Sequence, residues 1–97
     1  MDIQNIRAFL AVADTGSFSR AADKLFITQP AISKRISTLE QSLDCQLFDR
    51  LGKNIQLTQA GEALIPSYQR ILAEIDQTER IVSSLRTNFS GHLRFGT

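Results

Sequence analysis

The sequence predicts a mainly α-helical chain with one small β-hairpin. Apolar residues recur at steps of three and four over most of the chain, and this period is lost only between residues 47 and 57. A residue with a good helix-capping side chain precedes each of the four periodic segments. The 97 residues are enough for one domain, together with a segment too thin to hold a core of its own.

The first two predicted helices are short and follow each other directly. Asp2 is expected to cap the first helix, which ends at Thr15–Gly16 because glycine adopts the left-handed conformation easily. The apolar stripe of this helix consists of Ile3, Ile6, Phe9, Leu10 and Ala13. Ser17 is expected to cap the second helix, whose inner face consists of Phe18, Ala21, Ala22 and Leu25. The two alanines are small enough for another helix to approach closely.

A third helix and a hairpin follow. Thr28 is the expected N-cap of the third helix, and Pro30 lies in its first turn, where a missing N–H does no harm. The apolar stripe continues at steps of four, three and four through Ile32, Ile36, Leu39 and Leu43. Residues 47–50 and 55–57 then indicate two short strands joined by a turn at 51–54.

The fourth helix is predicted to be long, beginning after Thr58 and ending between Leu85 and Asn88. A helix from 58 to 88 is roughly 46 Å long, too long to bury its apolar stripe in its own domain. The stripe alternates steps of four and three with one polar member, through Leu64, Tyr68, Ile71, Ile75, Thr78, Val82, Leu85 and Phe89. This spacing indicates a coiled-coil contact with a second copy through Leu64, Tyr68, Ile71, Ile75, Val82 and Leu85.

Composition disfavours several classes of function. The formal net charge is +1, and a single cysteine, Cys45, and a single histidine, His92, exclude an internal disulfide framework and a Cys/His metal cluster. No phosphate-binding loop or nucleophile–histidine arrangement is visible, so we do not expect an enzyme. The longest apolar run, 8–13, is too short for a membrane span, and no secretory signal opens the chain. We therefore expect a cytoplasmic protein that binds no metal and enters no membrane.

The second and third helices meet across a tight turn, which is the layout of a helix-turn-helix. The face of the third helix opposite its apolar stripe carries Gln29, Ser33, Lys34 and Ser37. Amides and hydroxyls suit base edges, and lysine suits guanine or phosphate. Such a face is also typical of any surface helix. The paired alanines, the turn at Thr28 and the basic hairpin with Arg50 and Lys53 together favour DNA. A coiled-coil interaction module whose winged helix binds protein is the alternative.

Five motifs carry a family resemblance. They are GSFSRAA at 16–22, TQPAIS at 28–33, LE at 39–40, LF-x-R at 47–50 and LT-x-AG at 57–61. In this order and without gaps, they resemble the N-terminal domain of LysR-type transcriptional regulators over residues 1 to about 90. Asp44 and Cys45 depart from the pattern, because the family usually has glycine and a small apolar residue there.

The resemblance implies a division of the chain and a set of partners. Residues 1–57 would form a winged helix-turn-helix, 58–88 a linker helix that dimerises antiparallel, and 89–97 the start of an absent effector-binding domain. The partner would be double-stranded DNA with a dyad-symmetric site, bound by a homodimer and in full-length members by a tetramer. No cofactor is expected in this chain, since a small-molecule effector would bind the absent domain. The expected DNA contacts are Thr28, Gln29, Pro30, Ser33, Lys34, Ser37, Arg50 and Lys53.

Overall fold

The structure is a computed structural model that describes residues 2–49 and 54–93, with side chains of the last helix described as far as Arg86. Its elements in chain order are α1 (Ile3–Thr15), α2 (Phe18–Leu25), α3 (Gln29–Leu43), β1 (Phe48–Asp49), β2 (Gln56–Leu57) and α4 (Gln59–Leu93). The mainly helical fold class, with three helices, a two-stranded hairpin and a long helix, is therefore confirmed.

The predicted N-caps are confirmed by hydrogen bonds. Backbone N–H groups donate to the side chains of Asp2, Ser17, Thr28 and Thr58 over 2.8, 3.2, 3.2 and 3.1 Å. The Thr58 hydroxyl also donates to the carbonyl of Gln46 over 2.7 Å, which ties the start of α4 to the segment that precedes β1. Each cap satisfies a helix N–H that would otherwise lack a partner, so the helix starts are fixed locally.

The first three helices all end in a left-handed residue: Gly16, Phe26 and Asp44, with φ of 70°, 59° and 54°. For a residue with a side chain this conformation costs roughly 1–2 kcal/mol, less for aspartate than for phenylalanine. Backbone hydrogen bonds hold both turns, since the N–H of Phe26 donates to Asp23 and that of Asp44 to Gln41, each over 3.2 Å. Asp44 thus adopts the left-handed conformation that glycine favours at the end of a helix.

Helix α1 lies at the centre of the domain and packs against α2, α3 and α4. The predicted apolar stripe matches the buried residues of α1 only in part. Ile3, which belongs to the stripe, is 38% exposed, whereas Ala8, Ala11 and Val12 are buried although they lie off it. A helix with neighbours on several sides buries more than one stripe, which a single apolar face does not anticipate. The buried core also contains Phe9, Phe18, Ala21, Ala22, Ile32, Ile36, Leu39, Leu47, Phe48 and Tyr68.

The hairpin is antiparallel and very short. Phe48 pairs with Leu57 and Asp49 with Gln56. The side chains of Leu47 and Phe48 are buried in the core. Of the residues predicted to form the strands, Leu47 and Ile55 lie outside them. Arg50 and most of the predicted turn lie outside the described residues.

Helix α4 extends five residues beyond Asn88, so the predicted end of the helix is wrong. One glycine within a helix costs only about 1 kcal/mol, and Gly91 therefore does not stop it. Pro66 lies inside the helix and is exposed. Within residues 2–49 and 54–93, no helix combines the length and the hydropathy that crossing a membrane requires.

Gly61 lies where α4 approaches the hairpin most closely. A Cβ atom there would overlap the carbonyl oxygen of Leu47 and lie 2.8 Å from Cδ2 of Leu57. Helix propensity alone would favour Gly61→Ala by about 1 kcal/mol. Since a backbone carbonyl cannot move aside easily, we expect a net loss of about 1–3 kcal/mol in the free energy of unfolding, measured by urea denaturation. Gln69→Ala, at an exposed site on the same helix, should change it by less than about 0.5 kcal/mol. A Gly61→Ala variant as stable as the unmodified chain would contradict this account.

Candidate nucleic-acid interface

Helix α3 is anchored by one face and presents the other. Ile32, Ile36 and Leu39 are fully buried, which fixes the rotation of the helix about its axis. Five of the predicted contact residues are exposed and Ser33 is half-buried; the exposed ones are Thr28, Gln29, Pro30, Lys34 and Ser37. The polar face predicted from the sequence is therefore present as one continuous surface at the start of the helix.

The turn between α2 and α3 holds this surface in place. The N–H of Ile27 donates to the carbonyl of Ala22 over 3.0 Å, which closes the end of α2. Ala21 and Ala22 are buried, so the two small side chains lie where the helices pack together, as predicted. Because the turn is short and hydrogen-bonded, the first residues of α3 have little freedom relative to α2.

Two lysines near this surface, Lys24 and Lys34, differ in whether they form an ion pair. Lys24 donates to Asp14 over 2.8 Å, and this hydrogen bond, together with the lysine charge, lowers the pKa of the Asp14 carboxyl. Both side chains are largely exposed, so the pair adds little stability. In the part of the chain that the structure describes, Lys34 forms no ion pair. Its charge is therefore available to a phosphate or a guanine.

Glu40 connects α3 to the hairpin, which the sequence reasoning did not anticipate. Its Oε2 accepts hydrogen bonds from the N–H groups of Leu47 over 2.7 Å and Phe48 over 3.4 Å. The only sequence signal was the LE pair at 39–40. The bond matters because it sets the start of the hairpin relative to α3. Arg50 and Lys53 lie outside the described residues, and their predicted contacts stay predictions.

The predicted dimerisation residues divide into two groups. Tyr68 is 2% exposed and packs edge-on against Phe9, with ring centroids 5.6 Å apart, so it belongs to the core of its own domain. Burial raises the pKa of its hydroxyl, with a smaller contribution from Cys45. Leu64 is half-buried against the same core. A spacing of three and four cannot distinguish contact with the own domain from contact with a second copy.

The rest of the predicted set remains accessible. Ile71, Val82 and Leu85 are between 40% and 50% exposed, and Ile75 is half-buried. Ile81 is exposed as well, and the sequence reasoning missed it because it lies beside the stripe rather than on it. The apolar surface of α4 that a partner could cover therefore begins at Ile71.

Comparison with known proteins decides the family. A family model described as a bacterial regulatory helix-turn-helix protein of the lysR family matches residues 3–62. The chain belongs to the LysR family. An uncharacterised HTH-type transcriptional regulator of Azotobacter vinelandii is 50% identical over the whole chain, which spans 67% of that protein. The HTH-type transcriptional activator CmpR of Synechocystis is 34% identical over 98% of the chain, which spans 31% of CmpR.

Solved structures of LysR-family domains have the same fold. A complex of the BenM DBD with catB site 1 DNA is similar with a TM-score of 0.84 and 32% identity, covering 89% of this chain and 97% of that one. A CbnR DBD–DNA complex is similar with a TM-score of 0.82 and 30% identity, covering 89% and 99%. The winged helix-turn-helix architecture implied by the sequence motifs is thereby confirmed.

We expect Glu40→Ala to destabilise this LysR-family domain at the junction between α3 and its wing, the β1–β2 hairpin. The variant leaves two partly buried N–H groups without their acceptor, which costs about 1–3 kcal/mol. Glu40→Gln keeps a carbonyl acceptor and should lose less than half as much. Urea denaturation measures both. Equal losses in the two variants would show that the carboxylate charge, rather than hydrogen bonding to the wing, is what matters.

Proposed function

We propose that this chain is the DNA-reading module of a LysR-type transcriptional regulator and binds double-stranded DNA with sequence specificity. The observation that carries the proposal is the start of α3, whose polar surface is exposed while the opposite face is fully buried. The likeness to two LysR-family domains solved as DNA complexes supports it. A regulator of this kind acts in the cytoplasm and catalyses no reaction.

In this proposal α3 enters a major groove by its N-terminal end. Gln29 and Ser33 offer an amide and a hydroxyl to base edges, and Lys34 offers its charge to guanine or phosphate. Thr28, Pro30 and Ser37 border the same surface and contact the backbone or neighbouring bases. Helix N-terminal N–H groups also favour phosphate, which helps to set the register on the duplex.

The wing supplies the contacts that do not depend on sequence. Arg50 and Lys53 belong to the sequence between the two strands of the hairpin. We assign them to phosphates and the adjacent minor groove. Such contacts release counterions, so they raise affinity for every sequence and make it dependent on salt.

The first test concerns α3. Ser33→Ala and Lys34→Ala should each weaken binding to a duplex selected from a random pool by about 1–3 kcal/mol, the value of a good base contact. Fluorescence anisotropy with the selected duplex and a scrambled one measures the loss. Ser42→Ala makes the same change near the other end of α3 and should leave binding unaltered. If neither Ser33→Ala nor Lys34→Ala changes affinity for the selected site, α3 is not the reader.

A wing variant provides the contrast. Lys53→Ala should weaken binding to the selected and the scrambled duplex alike, and lower the salt slope by about one unit. A chain that binds neither duplex at any salt concentration, yet dimerises, would favour the protein-binding alternative instead.

We further propose that the chain forms a homodimer through the exposed stripe of α4 and binds a dyad-symmetric site. Four large apolar side chains of this helix are 40–53% exposed: Ile71, Ile81, Val82 and Leu85. Because about half of each side chain is already buried, covering the rest contributes about 0.75–1.5 kcal/mol per residue, and a second copy is the nearest complementary surface. The full-length protein would form a tetramer and bind its small-molecule effector in a further domain, which begins in the segment 89–97.

Ile71→Asp combined with Leu85→Asp should therefore give a monomer with an intact helix-turn-helix. Sedimentation at tens of micromolar measures the association state, and circular dichroism checks the fold. The monomer should bind a single half-site as before and the full site far more weakly. A control pair, Ala73→Asp with Ser83→Asp, adds the same charge away from the stripe and should stay dimeric. The proposal fails if the unmodified chain sediments as a monomer.

A further inference from the structure

Phe26, in the turn between α2 and α3, has the most exposed large apolar side chain among residues 2–49 and 54–86. It is 93% exposed, whereas Ile81, which follows it, is 53% exposed. The fold therefore gains almost no burial from this aromatic ring. A single exposed apolar residue is ordinary at a protein surface, so exposure alone does not indicate a function.

The backbone conformation at Phe26 makes phenylalanine an unfavourable choice. Its φ of 59° is left-handed, and in this conformation Cβ lies too close to the following carbonyl oxygen. Glycine has no Cβ, and asparagine adopts this conformation more easily. The turn is closed by backbone bonds alone, since the N–H groups of Phe26 and Ile27 donate to Asp23 and Ala22. Either smaller residue could form the same bonds. A strained residue whose side chain adds nothing to the fold indicates a role outside the fold.

The charges around Phe26 favour a protein partner over DNA. The charged residues nearest to it in the chain are Asp23 and Lys24, and both are exposed. Lys24 is paired with Asp14 over 2.8 Å, whereas Asp23 forms no ion pair in the part of the chain that the structure describes. This surface therefore has an excess of negative charge, which phosphates repel. Aromatic side chains are instead enriched at contacts between proteins, where they fill apolar pockets.

We propose that Phe26 and Asp23 form a docking surface for a second protein bound to the same DNA. The partner that fits this surface has an apolar pocket for the ring and a basic side chain beside the pocket for the carboxylate. Proteins that bind DNA carry such basic residues close to the duplex. Phe26 lies two residues before Thr28, at the edge of the surface that we assign to DNA, so a neighbour on the duplex can reach it. The inference rests on the proposed DNA binding and adds a contact that DNA does not make.

The test uses purified bacterial RNA polymerase as the probe, since a transcriptional regulator must change the action of this DNA-bound enzyme. Promoter fragments carry the duplex selected for this chain upstream of the promoter, at spacings that cover one turn of DNA. Gel-shift titration measures the affinity of the polymerase with and without saturating chain. At the best spacing the unmodified chain should raise this affinity about fivefold or more, the lower end of measured couplings between two binding sites.

Variants of the full chain assign this coupling to the docking surface. Phe26→Gly should abolish it, and Phe26→Tyr should retain most of it because the ring remains. Asp23→Asn should weaken it. Glu79→Gln removes an exposed carboxylate from α4 and should leave the coupling unchanged.

Two further measurements separate docking from DNA contact and from folding. Phe26→Gly should bind the selected duplex alone as tightly as the unmodified chain, measured by fluorescence anisotropy. It should also unfold at a temperature roughly 4 °C higher, because glycine removes the left-handed strain. A residue with a structural role would show the opposite change in the unfolding temperature.

Other results overturn the inference. Weaker binding of Phe26→Gly to the selected duplex alone would show that the ring contacts DNA. An unfolding temperature that does not rise would show that the ring stabilises its own domain. If the unmodified chain binds the duplex but leaves polymerase affinity unchanged, or if Phe26→Gly keeps the full coupling, the docking role fails and the proposed DNA binding stands. A chain that does not bind the selected duplex overturns the proposed function itself.

Discussion

The ring of Phe9 lies where the main elements of the domain meet. It is fully buried, with its centroid 5.4 Å from that of Phe48 and 5.6 Å from that of Tyr68. Phe18 adds a fourth ring, 6.1 Å from Phe48. These four side chains come from α1, α2, the hairpin and α4, so one aromatic cluster joins elements that are distant in sequence. Losing a buried ring of this size costs about 3–5 kcal/mol, against a total stability of about 5–15 kcal/mol for a small domain.

The polar surface of α3 is the part of this helix that the core leaves exposed. Packing of Ile32, Ile36 and Leu39 under α1 fixes the rotation of α3, and its polar residues can then point only outward. Phe48 holds the hairpin to the same core, while Glu40 ties the hairpin to α3 through two backbone N–H groups. Helix α3 and the hairpin are thus positioned by separate contacts with the same core, and these contacts fix the two elements relative to each other.

The features that could be predicted from the sequence are those that depend on residues nearby in the chain. Caps such as Ser17 and Thr28, the stripe of α3 and the left-handed Gly16 follow from local chemistry, and all are confirmed. Failures arise where distant segments decide. Tyr68 fits a coiled-coil pattern but packs against Phe9 in its own domain. Val12 lies off the predicted stripe and is nevertheless buried, because α1 has neighbours on several sides. The role of Glu40 was not predicted, because the N–H groups that donate to it belong to Leu47 and Phe48, beyond the end of its own helix. For the interface, the exposed face of α3 was predictable from the apolar stripe that the helix buries, and the contacts of this face and of Arg50 and Lys53 stay predictions.

Helix α4 couples the two parts of the molecule because it is continuous from one to the other. Its first turns belong to the domain core through Gly61 and Tyr68, and its exposed apolar residues, from Ile71 to Leu85, lie beyond them. Pro66 removes one helix N–H and so leaves a carbonyl without its usual donor, a place where a helix can bend. It lies between Gly61 and Tyr68, where contacts with the core on both sides hold the helix in position. The segment from Ile71 to Leu85 contains no proline, so it continues beyond the domain as a regular helix. In the proposed dimer, α3 would therefore determine which bases are contacted, and α4 would determine the distance between the two α3 helices.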